Sequence, residues 1–209
     1  MTLRECARRR GFEGTPEPSG RKVHAEPGMR PIFVVQLHHA RHRHYDFRLQ
    51  VGQVLKSWAV PKGPSLDPKV KRMAVEVEDH RLDYAGFEGD IPQGHYGGGH
   101  VALFDRGTWS SGGDVAAQLA KGHLRFELHG QRLKGGWHLV RSARPAQWLL
   151  FKQDDAWAGP LEADDLLQGV TPPPATHRAR RPGAPPHAAG GAANKPAAKQ
   201  AAANPGKTG

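Results

Sequence analysis

Residues 36–49 read Gln36-Leu37-His38-His39-Ala40-Arg41-His42-Arg43-His44-Tyr45-Asp46-Phe47-Arg48-Leu49. From His44 onward polar and apolar side chains alternate, which is the period of a half-buried β-strand. On such a strand Tyr45, Phe47 and Leu49 enter a core. His44, Asp46 and Arg48 then stand together on the other face, spaced about 7 Å per step. The run therefore predicts a sheet protein and, on one surface of it, an imidazole, a carboxylate and a guanidinium. His38 or His42 can fold over onto that surface from the preceding loop.

The same period recurs on both sides of this run. Residues 32–37, 45–51, 54–60, 72–77, 100–104, 123–128, 137–140 and 148–152 all read as strands. Turn signals separate them: Gly52-Gln53, Gly63-Pro64, Gly97-Gly98-Gly99, Arg106-Gly107, Gly130 and Gly135-Gly136. One helix is expected over residues 114–121, with Asp114 as its N-cap and Gly122 as its C-terminal cap. Many short strands with one helix among them, and no internal repeat, predict a mainly β antiparallel barrel or sandwich.

Charge and composition divide the chain of 209 residues into three parts. Residues 172–209 contain no aromatic side chain and no apolar one larger than Ala, so they cannot bury enough surface to offset the entropy of ordering; a disordered basic tail is expected there. Residues 1–30, polar and interrupted by Pro16, Pro18, Gly20, Pro27 and Gly28, read as a basic arm. Residues 31–171 form the core domain, with 17 basic and 16 acidic side chains. Of the net charge of +10, nine therefore lie outside this domain, which points to salt-dependent attraction of a polyanion through the arm and tail. No run approaches the roughly 18 to 20 apolar residues of a spanning helix. The start has no apolar h-region of a secretory signal, and the single cysteine, Cys6, suits a reducing cytoplasm.

Two His and one Asp on one face suit an open Mn, Zn or Fe site, which leaves coordination positions for water and substrate. The neighbouring Arg48 suits an anionic oxygen, since a guanidinium binds phosphate in bidentate fashion. The histidine run is equally compatible with a basic loop that binds metal adventitiously, and Arg48 with a simple ion pair. A second patch places His80 at a strand end, where its titration range suits proton transfer or phosphate binding, with Tyr84 able to donate a hydroxyl. A lone His beside Asp79 is also an ordinary loop residue. Lys62 and Arg72 are further cations that a phosphodiester would attract, or solvated charges. Tyr96-Gly97-Gly98-Gly99 lacks the Lys-Ser/Thr ending of a P-loop and reads as a tight strand connection.

These blocks together carry a resemblance. Arg10-Gly11-Phe12, Phe33-Val34-Val35-Gln36, His44-Tyr45-Asp46-Phe47-Arg48-Leu49 and Leu55-Lys56-Ser57-Trp58-Ala59-Val60-Pro61-Lys62-Gly63-Pro64-Ser65 come first. Val77-Glu78-Asp79-His80, Leu82-Asp83-Tyr84, Phe87-Glu88-Gly89, Asp105-Arg106-Gly107-Thr108-Trp109 and Trp148-Leu149-Leu150 follow in order. Over residues 3–158 the chain resembles the 3′-phosphoesterase domain of bacterial ATP-dependent DNA ligase D and its free-standing homologues.

The resemblance implies a compact antiparallel β-barrel with short flanking helices and a Mn²⁺-dependent enzyme, with Zn²⁺ or another divalent transition metal as substitutes. Such an enzyme acts on DNA 3′ ends in non-homologous end joining. It removes a terminal ribonucleoside and then the remaining 3′-phosphate of a primer–template end. His38, His44 and Asp46 would be the metal ligands; Arg48, His80 and Tyr84 would surround the scissile phosphate, with Lys62 and Arg72 supporting. A Ku-type end-binding protein and a separate ligase and polymerase are the implied partners, in the cytoplasm at the nucleoid. Leu37 stands where the family usually has a basic residue, an exchange expected to weaken contact with the nucleic acid backbone, and His39 and His42 are possible extra ligands. The competing reading is a non-catalytic DNA-end-binding or scaffolding module on the same fold.

Overall fold

The computed structural model describes residues 28–171; the expected tail, and all of the expected N-terminal arm except residues 28–30, lie outside the described residues. In chain order the strands are β1 (Ile32–His39), β2 (His44–Val51), β3 (Val54–Val60), β4 (Arg72–Glu76), β5 (His80–Arg81) and β6 (Gly89–Ile91). They continue with β7 (Gly99–Ser110), helix α1 (Val115–Lys121), β8 (His123–Gly130), β9 (Lys134–Arg141) and β10 (Gln147–Lys152). Short 3-10 turns occupy Leu82–Gly86 and Ala163–Leu166.

All strand pairings are antiparallel and run β1-β2-β3-β4-β10-β9-β8-β7, and β7 returns to pair with β1, so eight strands close into a barrel. Between the two architectures that the strand spacing allowed, closure is decided by the β1–β7 seam. Its register shifts between Val35 and Gln36, which face Asp105 and Leu103, leaving Phe104 as the extra residue of a bulge. Phe104 turns into the barrel and meets Tyr45 edge-on at 5.1 Å between ring centroids. The interior is filled by Trp58, Trp109, Trp137 and Trp148 with Phe33, Phe47 and Phe126, all buried.

A second apolar cluster lies on the outside of the wall. Leu55, Leu82, Tyr84, Phe87, Ile91 and Val101 pack together there. After β5 pairs with β3, residues 82–91 cross the outer face of β2 and β1, and β6 then pairs with β7. This crossing segment forms a roof over the polar face of β2. Its two strands, of 2 and 3 residues, are too short to show a period in the sequence.

The expected helix is present, with the Asp114 carboxylate accepting hydrogen bonds from the Ala116 and Ala117 amides and Gly122 in the left-handed region. Two expected turns are not turns. Gly107 lies inside β7, a strand of 12 residues, and Gly135-Gly136 lies inside β9. In both places glycine answers a close approach instead: a Cβ on Gly107 would collide with the His129 carbonyl of β8, and one on Gly136 with the Gln153 side chain. Gly107→Ala should therefore force β7 and β8 apart and destabilise the barrel by about 1–3 kcal/mol. Urea unfolding measures this, and an unchanged midpoint would show that the seam yields freely.

Candidate metal centre

The hairpin of β1 and β2 pairs His38 directly with His44, Gln36 with Asp46 and Val34 with Arg48. Because Phe33, Val35, Leu37, Tyr45, Phe47 and Leu49 face the core, strand alternation sends Gln36, His38, His44, Asp46 and Arg48 to the outer face. His38 is thus a strand residue rather than one folded over from a loop: β1 continues two residues past its expected end at Leu37. The two imidazole rings stand 4.8 Å apart, centroid to centroid.

One ligand atom from each of His38, His44 and Asp46 falls within 4.8 Å of the others. His38 Nδ1 is 3.7 Å from Asp46 Oδ2, and His44 Nε2 is 3.7 Å from Asp46 Oδ1. The far nitrogens are tied to backbone. His38 Nε2 donates to the Gly97 carbonyl at 2.9 Å, and His44 Nδ1 donates to the His42 carbonyl at 2.8 Å. Each bond makes that nitrogen the donor and leaves the other ring nitrogen facing the carboxylate, the outer-shell arrangement that metal-ligating histidines use. Two imidazole nitrogens and a carboxylate form a donor set that fits a divalent transition metal and leaves coordination positions open.

Arg48 is 1 % exposed. Its Nε donates to Gln36 Oε1 at 2.9 Å, Nη1 to Ser57 Oγ at 2.9 Å and Nη2 to Asp46 Oδ2 at 3.0 Å. The guanidinium also faces the Tyr84 ring at 4.9 Å. Burial alone would raise the Asp46 carboxyl, but the Arg48 charge, joined by His38 and His44, outweighs it and holds the group well below the usual carboxylate range. Asp46 is therefore a carboxylate at any working pH.

His80 is buried against the same wall, its Nδ1 donating to the Glu78 carbonyl at 2.8 Å and lying 3.2 Å from Ser57 Oγ. Its ring stands 5.1 Å from that of Tyr84. The structure thus brings six expected site residues together: His38, His44, Asp46, Arg48, His80 and Tyr84. It does not bring Lys62 or Arg72 to them. Lys62 is exposed beyond β3, and Arg72 is engaged by Glu162.

The extra histidines are placed elsewhere. His42 is exposed and contributes only its carbonyl, while His39 turns toward His100, 6.4 Å away between ring centroids. His39 is lowered from the ordinary imidazole value by burial and then by Arg43, His100 and His38. Leu37 is buried inside the barrel and faces away from the cluster, so its exchange for a basic residue does not touch the site in this conformation.

Three supporting residues were not singled out from the sequence. Gln36 shares the face of His38 by alternation, and its amide Nε2 also holds the roof through the Tyr84 and Phe87 carbonyls at 3.2 and 2.8 Å. Ser57 was within reach of sequence reasoning: the two-residue turn Gly52-Gln53 pairs Val51 with Val54 and hence Arg48 with Ser57. Gly97, in the glycine-rich connection between β6 and β7, meets His38 across 59 positions of sequence and gave no local signal.

The profile of the DNA ligase D 3′-phosphoesterase domain matches residues 36–141. The multifunctional non-homologous end joining protein LigD of Pseudomonas aeruginosa is 53 % identical over 169 residues, covering 79 % of this chain and 20 % of that protein. The multifunctional non-homologous end joining DNA repair protein LigD of Mycobacterium tuberculosis is 41 % identical over 156 residues, covering 72 % and 19 %. The LigD protein of Mycolicibacterium smegmatis is 35 % identical over 147 residues, covering 68 % and 19 %. The chain spans about a fifth of the length of these relatives.

If the triad holds a metal, Mn²⁺ or Zn²⁺ at 100 times its Kd should stabilise the fold by about 2.7 kcal/mol, seen as a rise in Tm. Asp46→Asn and His44→Ala should each remove most of that rise. A rise that survives both would place the ion elsewhere.

Proposed function

The chain belongs to the DNA ligase D 3′-phosphoesterase family, and on that premise we propose that it is a metal-dependent phosphoesterase that repairs DNA 3′ ends for non-homologous end joining. Its substrates on this reading are primer–template ends that carry a 3′ ribonucleotide or a 3′-phosphate. The observation that carries the reading is the convergence of His38 Nδ1, His44 Nε2 and the Asp46 carboxylate beside a buried arginine.

The chemistry takes two hydrolytic steps. In the first, a water oxygen attacks phosphorus and the bond to the terminal ribonucleoside oxygen breaks, leaving a 3′-phosphate. In the second, the bond to O3′ breaks and inorganic phosphate leaves a 3′-OH. A divalent ion in the triad, Mn²⁺ foremost, supplies Lewis acidity at a phosphate oxygen and a more acidic water. His38 and His44 hold that ion through nitrogens whose tautomers the backbone fixes. Arg48 keeps Asp46 ionised and, from its buried position behind the triad, adds positive charge that stabilises the phosphate oxygens. His80, its Nδ1 proton directed to Glu78, exchanges a proton at Nε2 with the leaving oxygen, and the Tyr84 hydroxyl orients the phosphate. Lys62 and Arg72 would join only if the substrate draws them in, Arg72 by exchanging Glu162 for phosphate.

The partners this reading implies are a Ku-type end-binding protein and the polymerase and ligase activities that use the 3′-OH, in the cytoplasm at the nucleoid. No helix among the described residues is long and apolar enough to cross a membrane. The inward position of Leu37, away from the triad, supports the catalytic reading over a non-catalytic module on the same fold.

A labelled primer–template assay tests the reading. Ends with one 3′ ribonucleotide and ends with a 3′-phosphate should both be converted to 3′-OH with Mn²⁺, and all-deoxy 3′-OH ends and chelated reactions should show no change. Wild-type turnover in chelator would defeat the metal requirement; cleavage within a circular duplex would indicate a general nuclease. Arg48→Lys keeps the charge but not the three-way fork, and should lower the rate of both steps by about 10²–10³. Unchanged rates would confine Arg48 to a charge-balancing part.

A further inference from the structure

The barrel carries a second functional-looking surface, far from the triad. In the closed ring of eight strands β9 stands four strands from β2, so the outer face of β8, β9 and β10 looks away from His38, His44 and Asp46. On that face His138 of β9 stacks on Phe151 of β10, with centroids 5.0 Å apart and planes 19° from parallel. Lys71 Nζ lies 5.4 Å from the Phe151 ring. His138 is paired across the sheet with Arg125 of β8. Arg125 in turn opens onto a groove of about 570 Å³ between the β8–β9 hairpin and the segment after β10. Trp157 lines that groove, still 53 % exposed, with Lys134 Nζ 4.7 Å from its ring.

The barrel core does not call for these side chains. An exposed tryptophan after the last strand adds nothing to the interior, and the cations Lys71, Arg125 and Lys134 stand on the same side of the barrel as Trp157 and the Phe151–His138 stack. The groove's carboxylates do not cancel them. Asp155 is held by the buried ammonium of Lys152 and by the Gly136 and Trp157 amides, which leaves Glu127 as the groove's one carboxylate without an ion-pair partner among the described residues. His138 is lowered from the ordinary imidazole value by burial and then by His123 and Arg125, and its ring sits between those of Phe151 and His123, 5.0 and 5.4 Å away.

We propose that the outer face of β8, β9 and β10 is a single-stranded nucleic acid platform, on which Trp157 takes an unstacked base and the Phe151–His138 stack borders the strand, while Lys71, Arg125 and Lys134 take the phosphates. Rings interleaved with cations are how sequence-tolerant single-strand sites are built, and every base offers a face to them. Duplex DNA keeps its bases stacked and has no use for the rings. A protein partner would favour a contiguous apolar patch, whereas here the Trp157 and Phe151 rings each lie beside a lysine. The platform rests on the proposed action at DNA ends only for the identity of its strand, the single-stranded template overhang of a primer–template; its binding chemistry stands independently.

The test uses the full chain and a fluorescein-labelled oligodeoxythymidine of about 16 nucleotides, the upper range of such sites. Anisotropy titration should show Trp157→Ala weakening binding about tenfold with its salt dependence unchanged. The double variant Arg125→Ala, Lys134→Ala should lower the slope of log K against log salt by about 1.4, two phosphate contacts' worth for a single strand. Trp157 and Arg125 are exposed and Lys134 is half-buried at the rim, outside the barrel core, so melting curves should stay close to wild type. On primer–templates with a long 5′ overhang the variants should raise KM and leave kcat unchanged, and on blunt ends neither should move. Wild-type oligonucleotide affinity in all variants, or an equal loss on blunt duplex, overturns the platform. If wild type converts no 3′ end but the variants lose oligonucleotide binding, the proposed function fails and the platform stands. If wild type converts ends while the variants bind normally, the reverse holds.

Discussion

Burying the Arg48 guanidinium costs several kcal/mol unless the polar directions around it are met, and the wall, the roof and the His38–His44–Asp46 cluster all take part in meeting them. Gln36 on β1, Asp46 on β2 and Ser57 on β3 supply one acceptor each, so the ion draws three adjacent strands into one polar patch. Tyr84 covers the guanidinium with its ring, and Gln36 fastens the roof above by two carbonyls. Asp46 remains ionised beside it and faces two histidine nitrogens. Removing the cation would leave a buried carboxylate facing only imidazoles, and the pocket would lose both its charge balance and its roof contact.

The roof explains how polar side chains on the outside of a barrel come to be buried. The outer face of an antiparallel barrel normally meets water, and the sequence of β2 alternates as if it did. Here residues 82–91 cross that face with apolar side chains of their own, which with Leu55 of β3 and Val101 of β7 form a separate small core. Water is thereby kept from Arg48 and His80, while His44 stays partly exposed at the edge, where a substrate can approach. On the opposite wall no such layer is present among the described residues, and aromatic and basic side chains stay accessible there.

Alternation and turn length were legible because both are local. Six apolar positions on β1 and β2 and the face shared by His44, Asp46 and Arg48 follow from period two, and the cap residues Asp114 and Gly122 bracket the helix. The resemblance added His38, His80 and Tyr84, which periodicity alone left among alternatives. Glycine was the main source of error. At Gly107 and Gly136 its role is to admit a neighbouring carbonyl or side chain, and in a single sequence that is indistinguishable from a turn. Lys62 and Arg72 show the converse: suitable charge does not establish placement, and Arg72 has a carboxylate of its own in Glu162.

By itself, then, the sequence determined which faces the strands present and which residue types would meet on β2, since these depend on neighbours a few positions apart. Strand spacing left barrel and sandwich open and the resemblance implied the barrel; what builds it is a tertiary feature, the bulge that lets β7 close on β1. Tertiary structure alone set the tautomers of His38 and His44, which rest on the carbonyls of Gly97 and His42. It also decided that Arg48 is sealed and that the β8–β10 face is left open. Each of these turns on a contact between segments far apart in sequence or on the cover over a face, and such contacts exist only once the chain has closed.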